Sequence, residues 1–443
     1  MRDDDPIRPR APLVRSIGRW SLAALVLNGI IGSGIFALPG TVGEQLGGAS
    51  CLAWLAAAGV IGVIMACFAE VASRFGGSGG SYLYARVAFG RFAGLQMGWM
   101  TLLVRITASA TNVNVFTTYV AEFWKPAATP AGKALIATVL VGLLAAINYR
   151  GVRGGTRVSN VFAVTKLVPL VLFIGLGLWW MFSGRSVPFA SGTDTTPAGW
   201  LSVLLLLTFA YGGFEAALMP LAEARNPRRD APFALFVGLG VVVLVYALVQ
   251  LAVLAALPNP AESNRPLAAA AGVFLGAGGA GLMAVAALVS VYGYLASGMV
   301  NVPRLTYAMS EQGDLPGLFG RVHAKFNTPH VSILFYAVLT WILAVQGNLI
   351  QNLSLSAVSR LLTYGVVCAA LIQLRRREKM QHAGEDGPAL WRLPFGHVFA
   401  VLGMIFAGVL ATRMTTREAL LLGVTIAIAL IHWLFVRNRQ RVT

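Results

Sequence analysis

The sequence predicts an all-α integral membrane protein with about twelve transmembrane helices. Of its 443 residues, 57% are hydrophobic and 12% are charged, whereas soluble proteins carry about 25% charged residues. Apolar runs of about 20 residues, long enough to cross a bilayer, recur along the whole chain. Between these runs the sequence shows no soluble domain large enough to hold its own core.

Twelve apolar segments are predicted to cross the membrane. They fall near residues 17–46, 49–73, 92–122, 133–150, 158–183, 199–224, 232–257, 268–309, 330–347, 353–374, 395–412 and 417–436. The first ten form a core over residues 17–377, and residues 395–436 add two more helices. Residues 1–16 and 437–443 are predicted to be cytoplasmic tails, since the N-terminal one lacks the apolar stretch of a signal peptide.

The distribution of basic residues predicts the orientation. An even number of segments places both termini on one side of the membrane, and most arginines lie in the tail and loops of that side. Because cytoplasmic loops are enriched in Lys and Arg, both termini are predicted to be cytoplasmic in a multi-pass protein of the cytoplasmic (inner) membrane. These arginines include Arg8, Arg10, Arg15, Arg150, Arg153, Arg157, Arg225, Arg228, Arg229, Arg375, Arg376 and Arg377.

The net charge of +17 does not predict nucleic-acid binding, because the sequence has neither a continuous basic face nor a nucleic-acid motif. Three cysteines, Cys51, Cys67 and Cys368, lie within apolar segments and are interpreted as small buried side chains. The five histidines lack the spacing of metal ligands. We therefore expect membrane lipid as a partner, and no metal or cofactor; the oligomeric state is not predicted.

The first apolar segment is interrupted at its centre by Gly32, Ser33 and Gly34. Glycine is a poor helix former, and unwound backbone at membrane depth is tolerated only where it is buried in protein or lines a cavity. Two interpretations follow from the residues alone. Either the glycines allow close packing between helices, or the helix breaks here and exposes backbone groups.

A matching interruption in the sixth segment, at Tyr211, Gly212 and Gly213, favours a break. The two segments begin two sets of five, at residues 17–183 and 199–377, and an odd number of segments gives the second set inverted topology. Paired interruptions of this kind indicate the midplane site of a secondary transporter. A half-helix N-terminus attracts an anion and a C-terminus a cation, which suits the carboxylate and ammonium of an amino acid.

Four stretches resemble the amino acid–polyamine–organocation superfamily of transporters, including bacterial amino acid permeases and arginine/agmatine antiporters. They read GIIGSGIF at 29–36, AEVASRF at 69–75 with its glycine-rich continuation, FAYGGFE at 209–215, and RLTYAM at 304–309 leading into GDLP at 313–316. The resemblance implies the LeuT-type fold, a 5+5 inverted repeat with helices 1 and 6 broken. It covers the first ten segments; the last two are generic.

The resemblance also implies a binding site. The N–H groups of Ser33 and Gly34 would hold the substrate carboxylate, and carbonyls near Ile30, Phe209 and Ala210 would take the ammonium. Phe209 corresponds to a gating aromatic of similar antiporters. Gly298 stands where a bulky aromatic is common, which implies a roomier pocket or replacement by Tyr292 or Tyr294. The implied substrate-binding residues are Ile30, Gly32, Ser33, Gly34, Ser109, Phe209, Ala210, Tyr211, Gly212 and Gly298.

Ionisable residues within the apolar segments are a second functional signal, because such charges are costly in lipid and face the protein interior or water. In similar proton-dependent members a lysine at the position of Lys166 replaces a sodium ion; the alternative is that it reaches the membrane surface. Glu215 is either a proton-coupling switch or a structural acid. Arg105 either pairs with Glu215 or Glu70, or favours an acidic substrate.

The remaining features have less specific interpretations. Glu70 is expected to cap the glycine-rich loop near Arg74, and Arg360 has no assigned role. That loop lacks the Lys-Ser/Thr pair of a phosphate-binding loop and is interpreted as a flexible or re-entrant gate segment. Residues 311–329 are predicted to contain a short surface helix.

These observations predict a secondary active transporter that moves an amino acid by alternating access, independent of sodium and coupled to protons. The alternatives are an amino acid/amine exchanger and a substrate-sensing receptor of the same fold. An enzyme is not favoured, because the sequence shows no nucleophile–base pair or metal set.

Overall fold

The computed structural model describes residues 17–77, 79–151, 155–189, 191–380 and 388–439, with backbone alone at 155–160, 222, 438 and 439. The predicted N-terminal tail, the last four residues of the C-terminal tail, Ser78 and Arg153 lie outside the described residues.

The described chain is built almost entirely of α-helices. In order they are α1 (Arg19–Ile30), α2 (Gly34–Leu46), α3 (Ser50–Ala72), α4 (Gly80–Phe89), α5 (Arg91–Val120), α6 (Pro130–Tyr149), α7 (Gly155–Phe182), α8 (Pro197–Tyr211), α9 (Phe214–Ala217), α10 (Pro227–Ala256), α11 (Pro266–Glu311), α12 (His330–Gln346), α13 (Leu349–Lys379), α14 (Gly396–Ala411) and α15 (Thr416–Arg439). The prediction of an all-α membrane protein is confirmed.

Eight helical stretches of the described chain are long and apolar enough to cross a membrane, and α12 and α14 are shorter apolar helices. This count takes α2 and α3 together as one stretch, Gly34–Ala72. It does not include α5. This helix is continuous over 30 residues, but its apolar sequence is interrupted by the polar residues Thr107, Thr111, Asn112 and Asn114. The multi-pass architecture is thus clear, while the predicted total of twelve crossings stays a prediction.

The outer helices turn apolar side chains outward. Val139 and Leu143 on α6 and Val168 and Leu172 on α7 are all more than half exposed. By contrast, Asn112, Thr111 and other polar residues of α5 are buried in the centre of the bundle. This is the arrangement expected of a protein whose surrounding solvent is lipid.

Both predicted interruptions are present. Helix α1 ends at Ile30, and α2 begins at Gly34 after a short non-helical turn. Helix α8 ends at Tyr211, and Gly213 then adopts φ +118°, a conformation that glycine alone adopts at little cost. After the second break, the predicted helix does not continue to residue 224. Helix α9 has only four residues, and a 3₁₀ turn at Leu221–Glu223 follows it.

The two breaks pack directly against each other. A side chain at Gly213 would meet the carbonyl oxygen of Gly29 at 1.9 Å, and one at Gly34 would meet Cα of Ala210 at 2.8 Å. The glycines therefore serve close packing and unwinding together. The sequence presented these as alternatives, and the structure combines them.

Two loops differ from the sequence interpretation. The glycine-rich stretch leads at Gly80 into α4, whose Tyr82 and Tyr84 are buried, so the second half of the expected gate segment is a packed helix. In residues 311–329, the expected surface helix is one 3₁₀ turn, Gly317–Gly320. Helix α11 is continuous for 46 residues apart from a kink at Gly276.

Candidate functional site

The first break is held by hydrogen bonds to side chains of neighbouring helices. The backbone N–H of Ser33 donates to Oδ1 of Asn112 on α5 at 3.1 Å. The Lys166 ammonium, on α7, donates to the carbonyl oxygens of Asn28 at 3.1 Å and Ile31 at 2.8 Å. Lys166 is 1% exposed, so it does not reach the surface, and its charge lies against the free carbonyl end of α1.

The carbonyls that were expected to receive a substrate ammonium already accept protein donors. The Tyr246 hydroxyl, from α10, lies 3.2 Å from the Ile30 oxygen and 3.3 Å from the Ala210 oxygen. Nη1 of Arg360, from α13, donates to the Phe209 oxygen at 3.0 Å. Its guanidinium carbon stands 5.5 Å from the centre of the Phe209 ring. A carbonyl has two lone pairs, so each retains capacity for a second donor.

Three buried charges meet beside the second break. Oε1 of Glu215 lies 3.2 Å from Nη2 of Arg105 and 3.3 Å from Nε of Arg360. Its other oxygen accepts from the Gly213 N–H at 2.8 Å and from the Tyr364 hydroxyl at 3.3 Å. The structure thus pairs Arg105 with Glu215, one of the partners considered from sequence, and gives Arg360 a place in the same cluster.

A small cavity lies next to this charge cluster. It encloses about 20 Å³, room for about one water and far too little for an amino acid. Its walls come from α1, α5, α9, α11 and α12, and its lining residues include Asn28, Gly29, Arg105, Ser109, Ala216, Met219, Tyr294, Ser297, Gly298 and Tyr336. The bundle is therefore closed around the breaks in this conformation.

The surroundings of Gly298 and Gly32 show what fills the expected pocket. The Ser109 and Tyr336 hydroxyls lie 2.6 Å apart, and a side chain at Gly298 would meet the Tyr336 oxygen at 3.2 Å. A side chain at Gly32 would meet the ring of Tyr294 at 3.2 Å. Tyr294 is thus an aromatic side chain that packs against the first break. It is one of the two tyrosines, Tyr292 and Tyr294, that the sequence suggested in place of an aromatic at Gly298.

Glu70 belongs to a separate cluster at the end of α3. It lies 2.5 Å from Nη2 of Arg375 and 3.1 Å from Nη2 of Arg74, and it accepts from the Leu393 N–H at 2.9 Å. These contacts join α3, the end of α13 and the segment that precedes α14. Glu70 and Arg105 therefore do not share one network.

Three residues that shape the site, Arg360, Asn112 and Tyr246, were given no role at the breaks from the sequence. Arg360 carried a signal, since a charge inside an apolar segment indicates function, and so did Asn112, since a polar residue there indicates hydrogen bonding between helices. Asn112 and Tyr246 lie on helices distant in sequence from the breaks that they contact. Nothing in the local sequence distinguishes Tyr246 from an ordinary packing residue.

Two buried helix breaks in contact, beside buried charges in an apolar bundle, define a membrane transport protein. The family model described as amino acid permease matches residues 17–435. The chain therefore belongs to the amino acid permease family, which confirms the resemblance to the superfamily and identifies a transporter rather than an enzyme.

Named relatives of the chain are also transporters. It is 28% identical over 430 residues to the rat large neutral amino acids transporter small subunit 2, covering 94% of this chain and 79% of the relative. It is 28% identical to the human Asc-type amino acid transporter 1, and the match covers 84% of this chain and 74% of the relative. The methylthioribose transporter of Bacillus subtilis is 29% identical, and the match covers 88% of this chain and 86% of that transporter.

Proposed function

We propose that this permease moves an amino acid across the cytoplasmic membrane by alternating access. The observation that carries the proposal is the direct contact of the two helix breaks, which brings free helix ends together inside the bundle. The names of its relatives, two of them amino acid transporters, support the substrate class. The basic loops support cytoplasmic termini.

The proposed architecture is the 5+5 inverted repeat, with repeats at residues 17–183 and 199–377 and two additional helices at 395–436. In this arrangement the four segments α1–α2, α3, α8–α9 and α10 rock against the remaining helices. Glycine contacts at Gly29 and Gly34 support this, because they join α1–α2 and α8–α9 into one unit.

The proposed substrate site uses the ends of the broken helices. The N–H groups of Ser33 and Gly34, at the start of α2, bind the substrate carboxylate, since helix N-termini favour anions. For this the Ser33 N–H exchanges its contact with Oδ1 of Asn112 for the substrate. The second lone pairs of the Ile30, Phe209 and Ala210 carbonyls take the ammonium. Gly32, Tyr211 and Gly212 form the backbone between these points. The closed cavity must open for the substrate to enter, which is a requirement of alternating access.

Proton coupling is assigned to Lys166, with Glu215 as the alternative carrier. The ammonium at the carbonyl end of α1 occupies a position where a sodium ion would otherwise neutralise that helix end. A charged lysine stabilises this arrangement, and loss of its proton releases it. The transporter is accordingly proposed to be independent of sodium.

The test is uptake of labelled amino acids into proteoliposomes that contain the purified protein. We expect uptake of at least one amino acid, driven by an inward proton gradient without sodium, and its loss in Ser33→Trp. Ser183→Trp, at an exposed position, is the matched control and should retain uptake. A panel of amino acids and amines that gives neither uptake nor thermal stabilisation would refute the proposal, and uptake that requires internal substrate would identify an exchanger.

A further inference from the structure

We infer that the substrate carries a carboxylate in its side chain and that Arg105 binds it. This inference rests on the proposed function and names the substrate class of the same site. Three independent features of the described residues lead to it, namely the unpartnered Nε of Arg105, the unneutralised charge and the position of Arg105 in the cavity.

Each backbone acceptor at the breaks already has a protein donor and keeps one lone pair, while a buried donor of Arg105 has no partner among the described residues. The Lys166 ammonium donates to the Asn28 and Ile31 carbonyls, and Arg360 donates to that of Phe209. The Ile30 and Ala210 carbonyls share the single hydroxyl hydrogen of Tyr246. Among donors, Nε of Arg105 and the Ser33 hydroxyl have no hydrogen-bond partner within the described part of the chain. A carboxylate in the cavity would supply the acceptor that Nε of Arg105 lacks.

The buried charges require a further anion. Arg105, Arg360 and Glu215 are 4%, 1% and 3% exposed, and two guanidinium groups against one carboxylate leave one positive charge in excess. Lys166, partnered by backbone carbonyls, adds to the excess when it is protonated. Burial of an unneutralised charge is strongly unfavourable. A neutral zwitterion brings no net charge, whereas an acidic amino acid brings the missing negative charge.

The geometry places Arg105 where a substrate side chain would extend. Arg105 lines the cavity together with Ser109, one helical turn further along α5. The facing position, Gly298, contributes no side chain. A carboxylate there would find the planar guanidinium, which binds carboxylates through two parallel hydrogen bonds.

A purely structural role for Arg105 is the competing explanation. In that case its function is to neutralise Glu215, and its loss would impair transport of every substrate alike. Because Arg360 also contacts Glu215, Arg105→Gln leaves one guanidinium with one carboxylate, and this variant is expected to fold. Arg105→Lys retains the charge but loses the two-pronged geometry.

The experiment compares labelled L-glutamate with L-glutamine, and L-aspartate with L-asparagine, in proteoliposome uptake. These pairs match in size and differ in side-chain charge. We expect the wild type to take up at least one acid tenfold faster than its amide, and Arg105→Gln to reduce that ratio at least tenfold. Arg105→Lys should retain part of the preference, and the exposed control Arg417→Gln all of it.

Each outcome is decisive. Uptake of amides or other neutral amino acids without acids would overturn the inference and leave the proposed function intact, as would an equal loss for acid and amide in Arg105→Gln. Absence of uptake for every amino acid would refute both the inference and the proposed function. Thermal stabilisation of the wild type by glutamate and not by glutamine provides a second measurement that depends on no variant.

Discussion

At the scale of single residues, the site depends on glycines, which have no side chain, as much as on charged residues. The glycines of the two breaks allow backbone to touch backbone, and Gly213 also adopts a left-handed conformation. Around them lie charges whose partners come from other helices. Three predictions belong to this scale.

Gly213→Ala is expected to lower the thermal unfolding temperature strongly or to prevent folding. Its methyl group would lie 1.9 Å from the Gly29 oxygen and would require a strained φ of +118°. The measurement is thermal unfolding of detergent-solubilised protein. Gly240→Ala is the control, since an open helical position should gain up to about 1 kcal/mol from alanine. Equal behaviour of the two variants would contradict the role of the contact.

Glu215→Gln is expected to destabilise the protein by about 3–5 kcal/mol, because it leaves Arg105 and Arg360 buried without a counter-charge. Thermal unfolding measures the change, with the exposed Glu44→Gln as control. Adding Arg105→Gln should recover part of the loss, since only one guanidinium then remains unpaired. A double variant less stable than Glu215→Gln alone would show that the charges do not act as one cluster.

Lys166→Ala is expected to abolish the response of uptake to a pH gradient. The variant removes the one ammonium that contacts the Asn28 and Ile31 carbonyls. Initial uptake rates with and without an inward proton gradient measure the effect, and the exposed Lys325→Ala should behave as wild type. Full dependence on the gradient in Lys166→Ala would transfer the coupling role to another residue, Glu215 first.

At the scale of helices, α4 is tied to the segment after α11 by a cluster of charges. Asp314 is buried and lies 2.5 Å from Nη1 of Arg86 and 2.6 Å from Nε of Arg91. It also accepts from the Tyr82 hydroxyl at 2.6 Å. Burial and the Asp314 carboxylate raise the pKa of Tyr82, so the hydroxyl stays protonated and continues to donate.

Asp314→Asn is therefore expected to loosen α4. A neutral amide in place of the carboxylate weakens both arginine contacts, and loss of charge-assisted hydrogen bonds costs about 1.5–3 kcal/mol. Hydrogen exchange over residues 80–89 should accelerate at least tenfold. Asp194→Asn, in the exposed loop before α8, serves as the control. Unchanged exchange in Asp314→Asn would show that packing alone holds α4.

At the scale of the whole molecule, the bundle buries its polar residues and presents apolar ones to lipid. Its orientation depends on loop charge and not on packing, because the interior would be the same in either direction. The proposed orientation places Arg225 on the cytoplasmic side and Arg185 on the opposite side. Both side chains are exposed.

Cysteine labelling tests this orientation. In a Cys51→Ser background, we expect Arg185→Cys to react with a membrane-impermeant maleimide on intact cells and Arg225→Cys to react only after permeabilisation. The remaining Cys67 and Cys368 are buried, and the background protein without added cysteines is the control. The reverse labelling pattern would invert the proposed topology.

The sequence alone determined the class of the protein and the position of both breaks. Hydrophobic length depends on composition within one segment, and the glycines act locally, so a linear sequence displays both. For the same reason the sequence singled out Lys166, Glu215 and Arg105 as charges in an apolar setting.

Only the tertiary structure decided which groups meet. Arg360 and Glu215 are 145 positions apart by number, and Asn112 contacts Ser33 across 79 positions. Such contacts follow from how the helices pack, which no local pattern encodes. The same packing places Tyr246 and Arg360 against the expected ammonium acceptors, so the charge balance of the site emerges only when distant helices are brought together.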